Sequence, residues 1–493
     1  MTELSQLYKE TFRCEPSRVE LLGGAASNRR YYRLTHPADG STLIGVIGEN
    51  GKENHAFLAL ARHMRQQGLN VPQIVAASAD EMRYLQQDLG QQSLYDVLRA
   101  QPDDPSTLEL LCRVMRALPR LQQLTHQGFD YTTDAFREPS FCLTTVRWDL
   151  NYFKYCFLKL TGYPMDELRL EEEFDRLTAQ LLDASAADDL PWAFLYRDFQ
   201  SRNVMIDADR QPWFIDFQGG YAGPVYYDVA SFLWQTRANY SPSLREELVD
   251  VYIDALREFY PSVEAKAFRS RLYPFVFFRL LQTLGTYGYR GLFEHKAMFQ
   301  TPICQALQAL VDLAPHVEHL CPYLCKVLAE VVQMERFRPH PATGELTVRI
   351  TSFSYKRGIP EDLSGNGGGF VFDCRAPLNP GRFAFYKRLT GLDAEVIDFL
   401  EGRRDENGSL LAAPASEPTS MQRFVENVYT LVDPAVQTYL ERGFTSLVVN
   451  CGCTGGQHRS VYCAQHVADH LHERFPSVHI ILTHREQQIQ KRY

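Results

Sequence analysis

The sequence predicts a two-lobed α+β unit followed by a compact α/β domain. Three observations carry this. Strand-like stretches crowd the first 88 residues, helical periodicity dominates 89–335, and a Pro-rich polar break then precedes a segment that closes on strand, loop and helix. At 493 residues the chain is also too long for one ordinary core. The expected boundaries are 1–88 for a small strand-rich lobe and 89–335 for a helical lobe. A linker at 336–345 and a C-terminal domain at 346–493 complete the division.

The elements follow in order. "VELLGG", "RRYYRLTH" and "STLIGVIG" read as strands between turns at "GGAAS" and "PADG". Phe57, Leu58, Leu60, Ala61 and Met64 recur at helical spacing. "VPQIVAAS" and "MRYLQQDLG" give two more strands, and 93–127 turns helical. Short strands return around "LYRDFQSRNVMI" and "QPWFIDFQGG", and 227–333 is mostly helical again. "RFRPHPATGE" is the break. Beyond it lie the strands "LTVRITSFS" and "FVFDCR", with a glycine cluster "SGNGGG" between them that reads as a flexible loop. "FTSLVV", "NCGCTGGQHRS" and "VYCAQHVADHLHER" close the chain as strand, loop and helix.

Composition excludes several classes. A net charge of -9 argues against a general nucleic-acid binder. Residues 341–493 carry 16 Lys and Arg against 17 Asp and Glu, so the last domain is nearly neutral. The start "MTELSQLYKE" has no signal-peptide pattern, and no uninterrupted apolar run is long enough for a membrane span. Eleven cysteines lie scattered without a framework. Cys321/Cys325 and Cys451/Cys453 each lack a matching second metal pair, so reduced thiols of a cytoplasmic protein are expected.

The first chemical constellation is Tyr196-Arg197-Asp198-Phe199-Gln200-Ser201-Arg202-Asn203, with Ile215-Asp216-Phe217 behind it. Phosphoryl transfer from a nucleotide needs a carboxylate on the acceptor hydroxyl, oxygen ligands for magnesium and a cradle over the phosphates. Asp198 would be the base, and Asn203 and Asp216 the metal ligands. Singly, each is an ordinary turn, capping or salt-bridge residue. At this D-x4-N…D-F spacing they match a kinase catalytic loop.

These stretches resemble the aminoglycoside phosphotransferase family, which has a bilobal protein-kinase-like fold. Within it the chain is most similar to the N-acetylmuramate and N-acetylglucosamine anomeric kinases. "GGAASNRRYYRL", "LQQDLG", "YRDFQSRNVM" and "FIDFQGGYAGPVYYDVASFL" carry the resemblance, over roughly residues 1–336. It implies ATP and Mg2+ as cofactors, and Gly23, Gly24, Ser27, Arg29, Gln87 and Leu89 at the nucleotide. It also implies a structural Asp228 tying the loop after Asp216 to the helical lobe. Two departures stand out. Tyr196 replaces the usual histidine, and "STLIGVIGEN" has no lysine for the phosphates; Arg29 or Arg30 is the candidate substitute. Acceptor contacts are expected in "TTVRWDLNYFKYCF", whose aromatics read equally as core.

The second constellation is Cys453 to Ser460. Backbone N–H groups of Thr454–His458 at a helix start form a cradle for an anion, with Gly455 and Gly456 permitting close approach. Arg459 would add a guanidinium fork, His458 a further donor, and Thr454 and Ser460 hydroxyls. Cys453-x5-Arg459-Ser460 also matches a cysteine-phosphatase loop. However, "SFSYKRGIP", "FVFDCRAPLNP", "LTGLD" and "VVNCGCTGGQHRSVYCAQHVADHL" resemble the C-terminal domain of the RNase adapter RapZ, over about 346–493. That resemblance implies aminosugar-phosphate sensing at this loop, homo-oligomers and RNA binding. The thin basic tail "THREQQIQKRY" and the neutral charge argue against RNA.

The expected protein is therefore an ATP-dependent sugar kinase, acting on a small-molecule aminosugar, with a sugar-phosphate-sensing domain and no membrane partner. The alternatives are a catalytically weak kinase-like regulator of RNA or protein partners, or a C-terminal phosphatase.

Overall fold

The computed structural model describes residues 2–23, 29–102, 104–183, 190–236, 238, 240–337, 345–360, 369–413 and 415–493. Most of the Pro-rich break and of the glycine cluster lies outside these residues. The chain forms two compact units, one ending at Phe337 and one running from Arg338 to Tyr493. Among the described residues no helix is long and apolar enough to cross a membrane.

The first unit opens with an antiparallel sheet of order β1-β2-β3-β5-β4. Its strands are β1 (Arg18–Leu21), β2 (Arg30–Thr35), β3 (Thr42–Ile47), β4 (Ile74–Ala77) and β5 (Arg83–Gln87). The alternation of β2 settles its faces: Tyr32 and Leu34 turn inward onto Leu4 and Tyr8 of the helix Thr2–Phe12. On the other face lies the helix Gly51–Gln66, which buries Phe57, Leu58, Leu60, Ala61 and Met64 as its periodicity predicts. Asn50 caps it by accepting from the Glu53 N–H, a cap of about 1 kcal/mol. At Gly48 a Cβ would lie 2.2 Å from the Asn54 side chain, so only glycine lets this helix start so close to β3.

The larger lobe is helical. The short pairs β6 (Ala193–Leu195) with β9 (Tyr221–Gly223) and β7 (Val204–Ile206) with β8 (Pro212–Phe214) frame the segments that carry Asp198 and Asp216. Two of its helices widen at their C-terminal ends. Leu143–Phe153 continues into a π-turn at Lys154–Leu158, and Ala265–Tyr287 into another at Gly288–Phe293. The two widened turns touch. A Cβ on Gly288 would meet the Cys156 carbonyl at 2.1 Å, and one on Gly285 would meet Tyr152 Cδ1 at 2.8 Å. Glycine at both positions lets the helices approach.

The second unit is a five-stranded sheet of order β11-β12-β10-β13-β14. β10 (Thr347–Ser354), β11 (Phe370–Asp373), β12 (Ser446–Cys453) and β13 (His479–His484) run parallel, and β14 (Ile489–Arg492) is antiparallel to β13. The near-continuous apolar run in β12, buried from Leu447 onward, is what a doubly covered parallel strand requires. Val425, Val428, Val432 and Val436 of the helix Ser420–Glu441 join this core. So do Val467, Ala468 and Leu471 of the helix Arg459–Arg474.

Candidate active site

Asp198 sits on the loop between β6 and β7, and Asp216 directly after β8. The loop is pinned from below. Asp228, fully buried, accepts from the Tyr196 N–H at 2.9 Å, the Arg197 N–H at 3.0 Å and the Gln122 amide at 3.2 Å. Burial pushes its carboxyl up to about 7, against the pull of those three donors. The expected partner of Asp228 was the loop after Asp216; the structure gives it the catalytic loop instead. The reason is local: the first backbone N–H groups after β6 turn away from the sheet and need a buried acceptor. Asp228→Ala strands three donors in the interior, so it should cost at least about 3 kcal/mol. An unfolding midpoint in urea equal to the parent's would refute that anchor.

The tyrosine in place of histidine has a role. The Tyr196 hydroxyl donates to the carbonyl of Ile215, and the Ile215 N–H donates to the Asn203 carbonyl at 3.0 Å. The loop carrying Asp198 and the turn carrying Asp216 are thereby cross-tied. Arg197 and Asp216 both hold positive φ, +74° and +69°, a conformation that L residues adopt at a cost of about 1–3 kcal/mol.

Asp198 is half-buried. Its Oδ2 accepts from Gln200 Nε2 at 2.9 Å, and Arg279 Nη2 lies 3.7 Å from its Oδ1. Asn203 Nδ2 donates to the Asp198 carbonyl at 2.9 Å, which leaves its Oδ1 as an acceptor. Burial lifts the Asp216 carboxyl above the ordinary aspartate range, and the charges of Asp198 and Glu53 add to the lift; the Gln218 hydrogen bond and Arg29 oppose it. An amide oxygen and a crowded carboxylate beside a second carboxylate fit a hard divalent cation such as Mg2+.

Arg29 lies at the foot of β2 and is 5% exposed. Its Nη2 donates to the Glu53 carbonyl at 3.0 Å and lies 3.4 Å from Glu53 Oε1. Glu53 is in the first turn of the helix Gly51–Gln66, and Gln218 Nε2 bridges its carboxylate (3.3 Å) to that of Asp216 (2.8 Å). The guanidinium sits 5.7 Å over Phe57, whose ring stacks on Phe217 at 4.9 Å. Neither Glu53 nor Gln218 was picked out from the sequence. Lys52, one residue earlier in the same helix, is exposed.

Arg29, Asp198, Asn203 and Asp216 are thus brought into one network. Of the other nucleotide candidates, Gly23, Gln87 and Leu89 stand apart from it. Gly23 has open space around it, and Gly24 and Ser27 lie outside the described residues. Gln87 and Leu89 line no part of the cleft: the Gln87 side chain accepts from the Gln73 N–H at 3.4 Å, along the sheet. Asp88 between them is held by Arg33 at 2.6 Å.

The cleft beside Asp198 measures about 580 Å3. Trp148, Asp149 and Tyr152 line it on one helix, while Val146, Leu150 and Phe153 of the same helix are core. The stretch thus has a cleft face and a core face. Trp148 is 56% exposed and stacks on Tyr152, with centroids 5.3 Å apart and planes 6° apart. Asp149 is buried; Gln282 donates to it at 2.9 Å and Arg197 lies 3.7 Å away.

In the second unit, the predicted anion loop follows β12. Gly456 has φ +64°, and a Cβ there would lie 2.4 Å from Glu486 Cγ, so this turn demands glycine. Thr454 and Gly455 are exposed. The rest of the loop differs from expectation. Arg459 is buried and its Nη1 donates to the carbonyls of Arg375 (2.6 Å) and Pro377 (2.8 Å). His458 Nε2 lies 2.9 Å from the Tyr386 carbonyl, and Ser460 Oγ is 3.1 Å from Cys453 Sγ. The fork and the histidine therefore brace neighbouring loops. Those loops have carbonyls with no sheet partner, and a buried cation must find acceptors. Beside this edge Lys356, Arg357 and Arg375 are exposed; Arg357 pairs with Glu486, and Arg375 pairs with Asp373 and lies 4.5 Å over the Tyr355 ring.

Comparison with known proteins agrees with this division. Residues 18–262 match a model of the phosphotransferase enzyme family, and residues 346–488 one of the RapZ C-terminal domain. The nucleotide-binding protein NE1849 of Nitrosomonas europaea is 31% identical over 183 residues, 37% of this chain and 54% of the relative. A nucleotide-binding protein of Thermotoga neapolitana is 33% identical over 184 residues, 37% of this chain and 55% of that one. The chain spans about half the length of these curated relatives. Among solved structures, Plasmodium vivax ethanolamine kinase is similar at 12% identity and a TM-score of 0.42, over 59% of this chain and 82% of its own. The choline kinase LicA of Streptococcus pneumoniae is similar at 13% and 0.40, over 63% and 99%. The chain is therefore similar to the phosphotransferase enzyme family over residues 18–262 and to the RapZ C-terminal domain over residues 346–488.

Proposed function

We propose that the first unit transfers the γ-phosphoryl group of ATP to the anomeric hydroxyl of an aminosugar of the N-acetylmuramate or N-acetylglucosamine type. We further propose that the second unit, similar to the RapZ C-terminal domain, binds an aminosugar phosphate at the exposed Thr454–Gly455 edge of its loop, since Arg459 and His458 are already engaged. The observation that carries the kinase reading is Asp198, half-buried at the edge of a cleft that also receives Asp216 and Glu53. Asp198 accepts the acceptor's proton as its oxygen attacks phosphorus and ADP leaves. Gln200 and Arg279 orient that carboxylate. Asn203 Oδ1 and Asp216 hold Mg2+, which when bound neutralises charge on the phosphates. The Trp148–Tyr152 face offers an apolar plane for the C–H face of a sugar ring, and Asp149 a buried acceptor for its hydroxyl groups.

Arg29 answers the missing lysine. Paired with Glu53 near Asp216, it supplies, from just before β2, a cation that β3 lacks. This favours an active kinase over a weakened regulator. Arg29→Met is expected to raise KM for ATP at least tenfold, about 1.4 kcal/mol, and Arg29→Lys less. An unchanged KM in the methionine variant removes Arg29 from the nucleotide site. No comparable observation supports the phosphatase reading, since Arg459 is engaged with backbone carbonyls.

The test is ATP turnover over a panel of N-acetylmuramate, N-acetylglucosamine, their borohydride-reduced forms, choline and ethanolamine. Turnover with a free sugar, lost on reduction of its anomeric carbon, is expected. Turnover with choline or ethanolamine alone overturns the sugar assignment.

A further inference from the structure

Three thiols meet where the strand leading into the anion loop packs against the helix leading out. Cys374 directly follows β11, with its N–H bonded to the Gly452 carbonyl at 2.8 Å. Cys451 is in β12, and Cys463 is in the second turn of the helix Arg459–Arg474. All three are fully buried. Their Sγ atoms lie within 4.8 Å of one another, and those of Cys451 and Cys463 are 3.5 Å apart.

From these positions we propose that Cys374, Cys451 and Cys463 form a three-sulfur site for a soft monovalent cation, cuprous copper. The donor set is sulfur alone, which selects soft metals over magnesium, calcium or manganese. A metal about 2.3 Å from three sulfurs in a plane sets them about 4.0 Å apart, and the observed trio needs shifts of only tenths of an ångström. Zinc wants a fourth ligand. Among the described residues no fourth His, Cys, Asp or Glu joins the group. Cys453, two residues along β12, pairs with Ser460 instead. Each sulfur that bonds the cation gives its proton to solvent, and nothing is oxidised. The apolar surroundings (Val449, Val467 and Tyr386 belong to the same core) keep water and competing oxygen ligands out. The bound ion braces β11, β12 and the helix behind the loop.

The site is closed, so loading belongs to folding. The full chain is refolded anaerobically in reductant with one equivalent of cuprous ion, then challenged with a colorimetric cuprous chelator. One copper per chain should be retained, with near-ultraviolet sulfur-to-copper charge-transfer absorption. Cys374→Val and Cys463→Val, close in volume to the thiol, should each weaken retention at least a hundredfold, while Cys453→Ser and Cys112→Ser leave it unchanged. X-ray absorption of the loaded parent should show three sulfurs at about 2.3 Å, a readout independent of whether the variants fold. No retained copper, retention by the valine variants, two sulfurs or any oxygen neighbour, preferential uptake of zinc, or a Cys451–Cys463 disulfide formed in its place would each overturn the assignment.

Discussion

Under the proposed kinase function, Asp198→Asn should bind nucleotide as the parent does and phosphorylate its acceptor about 10²–10⁴-fold more slowly. The substitution is isosteric, so the Gln200 and Asn203 contacts have the shape they need to persist. What disappears is the capacity to take the acceptor's proton, together with the charge facing Arg279. The loss should fall on kcat, because the base acts on the acceptor and not on ATP. Calorimetry of nucleotide binding beside steady-state turnover separates the two effects. Near-normal turnover would remove Asp198 from the mechanism.

Asp216→Asn should weaken nucleotide binding in magnesium at least a hundredfold, about 2.7 kcal/mol, and change little without the metal. Asparagine is the informative replacement. It tolerates the positive φ that Asp216 holds, whereas alanine would add backbone strain to the loss of a ligand. It also keeps an oxygen for Gln218, so the bridge to Glu53 survives. Equal affinities for the parent and the variant in magnesium would count against Asp216 as a metal ligand.

The catalytic loop was legible because its demands are local. Asp198 and Asn203 share one short loop, and Asp216 lies two residues past the paired strand that follows. Their spacing is dictated by two short strands and a turn, and sequence carries such distances faithfully. Arg29, Glu53 and Gln218 were harder, since Gln218 lies 165 residues from Glu53 and meets it only when the lobes pack. Arg459 shows a different limit. A buried guanidinium beside a glycine turn reads the same whether its acceptors are phosphate oxygens or carbonyls, and the carbonyls of Arg375 and Pro377 sit over eighty residues away. The stretch around Trp148 held more information than was taken from it. Val146, Leu150 and Phe153 fall at i, i+4 and i+7, and that period alone separates the core face from the cleft face. Likewise, Cys374 is too distant in sequence for Cys451 to suggest it as a neighbour.

The two widened turns at Lys154–Leu158 and Gly288–Phe293 carry a residue more than an α-helix of the same rise would hold. Each is a reserve of register directly behind the wall of the cleft. Deleting one residue from such a turn tightens it to ordinary α geometry and leaves the helix on either side nearly in register. The change stays in the turns themselves, beside Tyr152 and Tyr289, whose rings are 6.3 Å apart. Each turn is therefore a local tolerance for length, one that leaves Asp198, Asp216 and their cross-ties in place. Its range is set by Gly285 and Gly288: any side chain there, even a methyl group, would drive the helices apart at a cost of about 1–3 kcal/mol. Relatives that keep both glycines but differ in length at these turns would be the ones to compare for that tolerance.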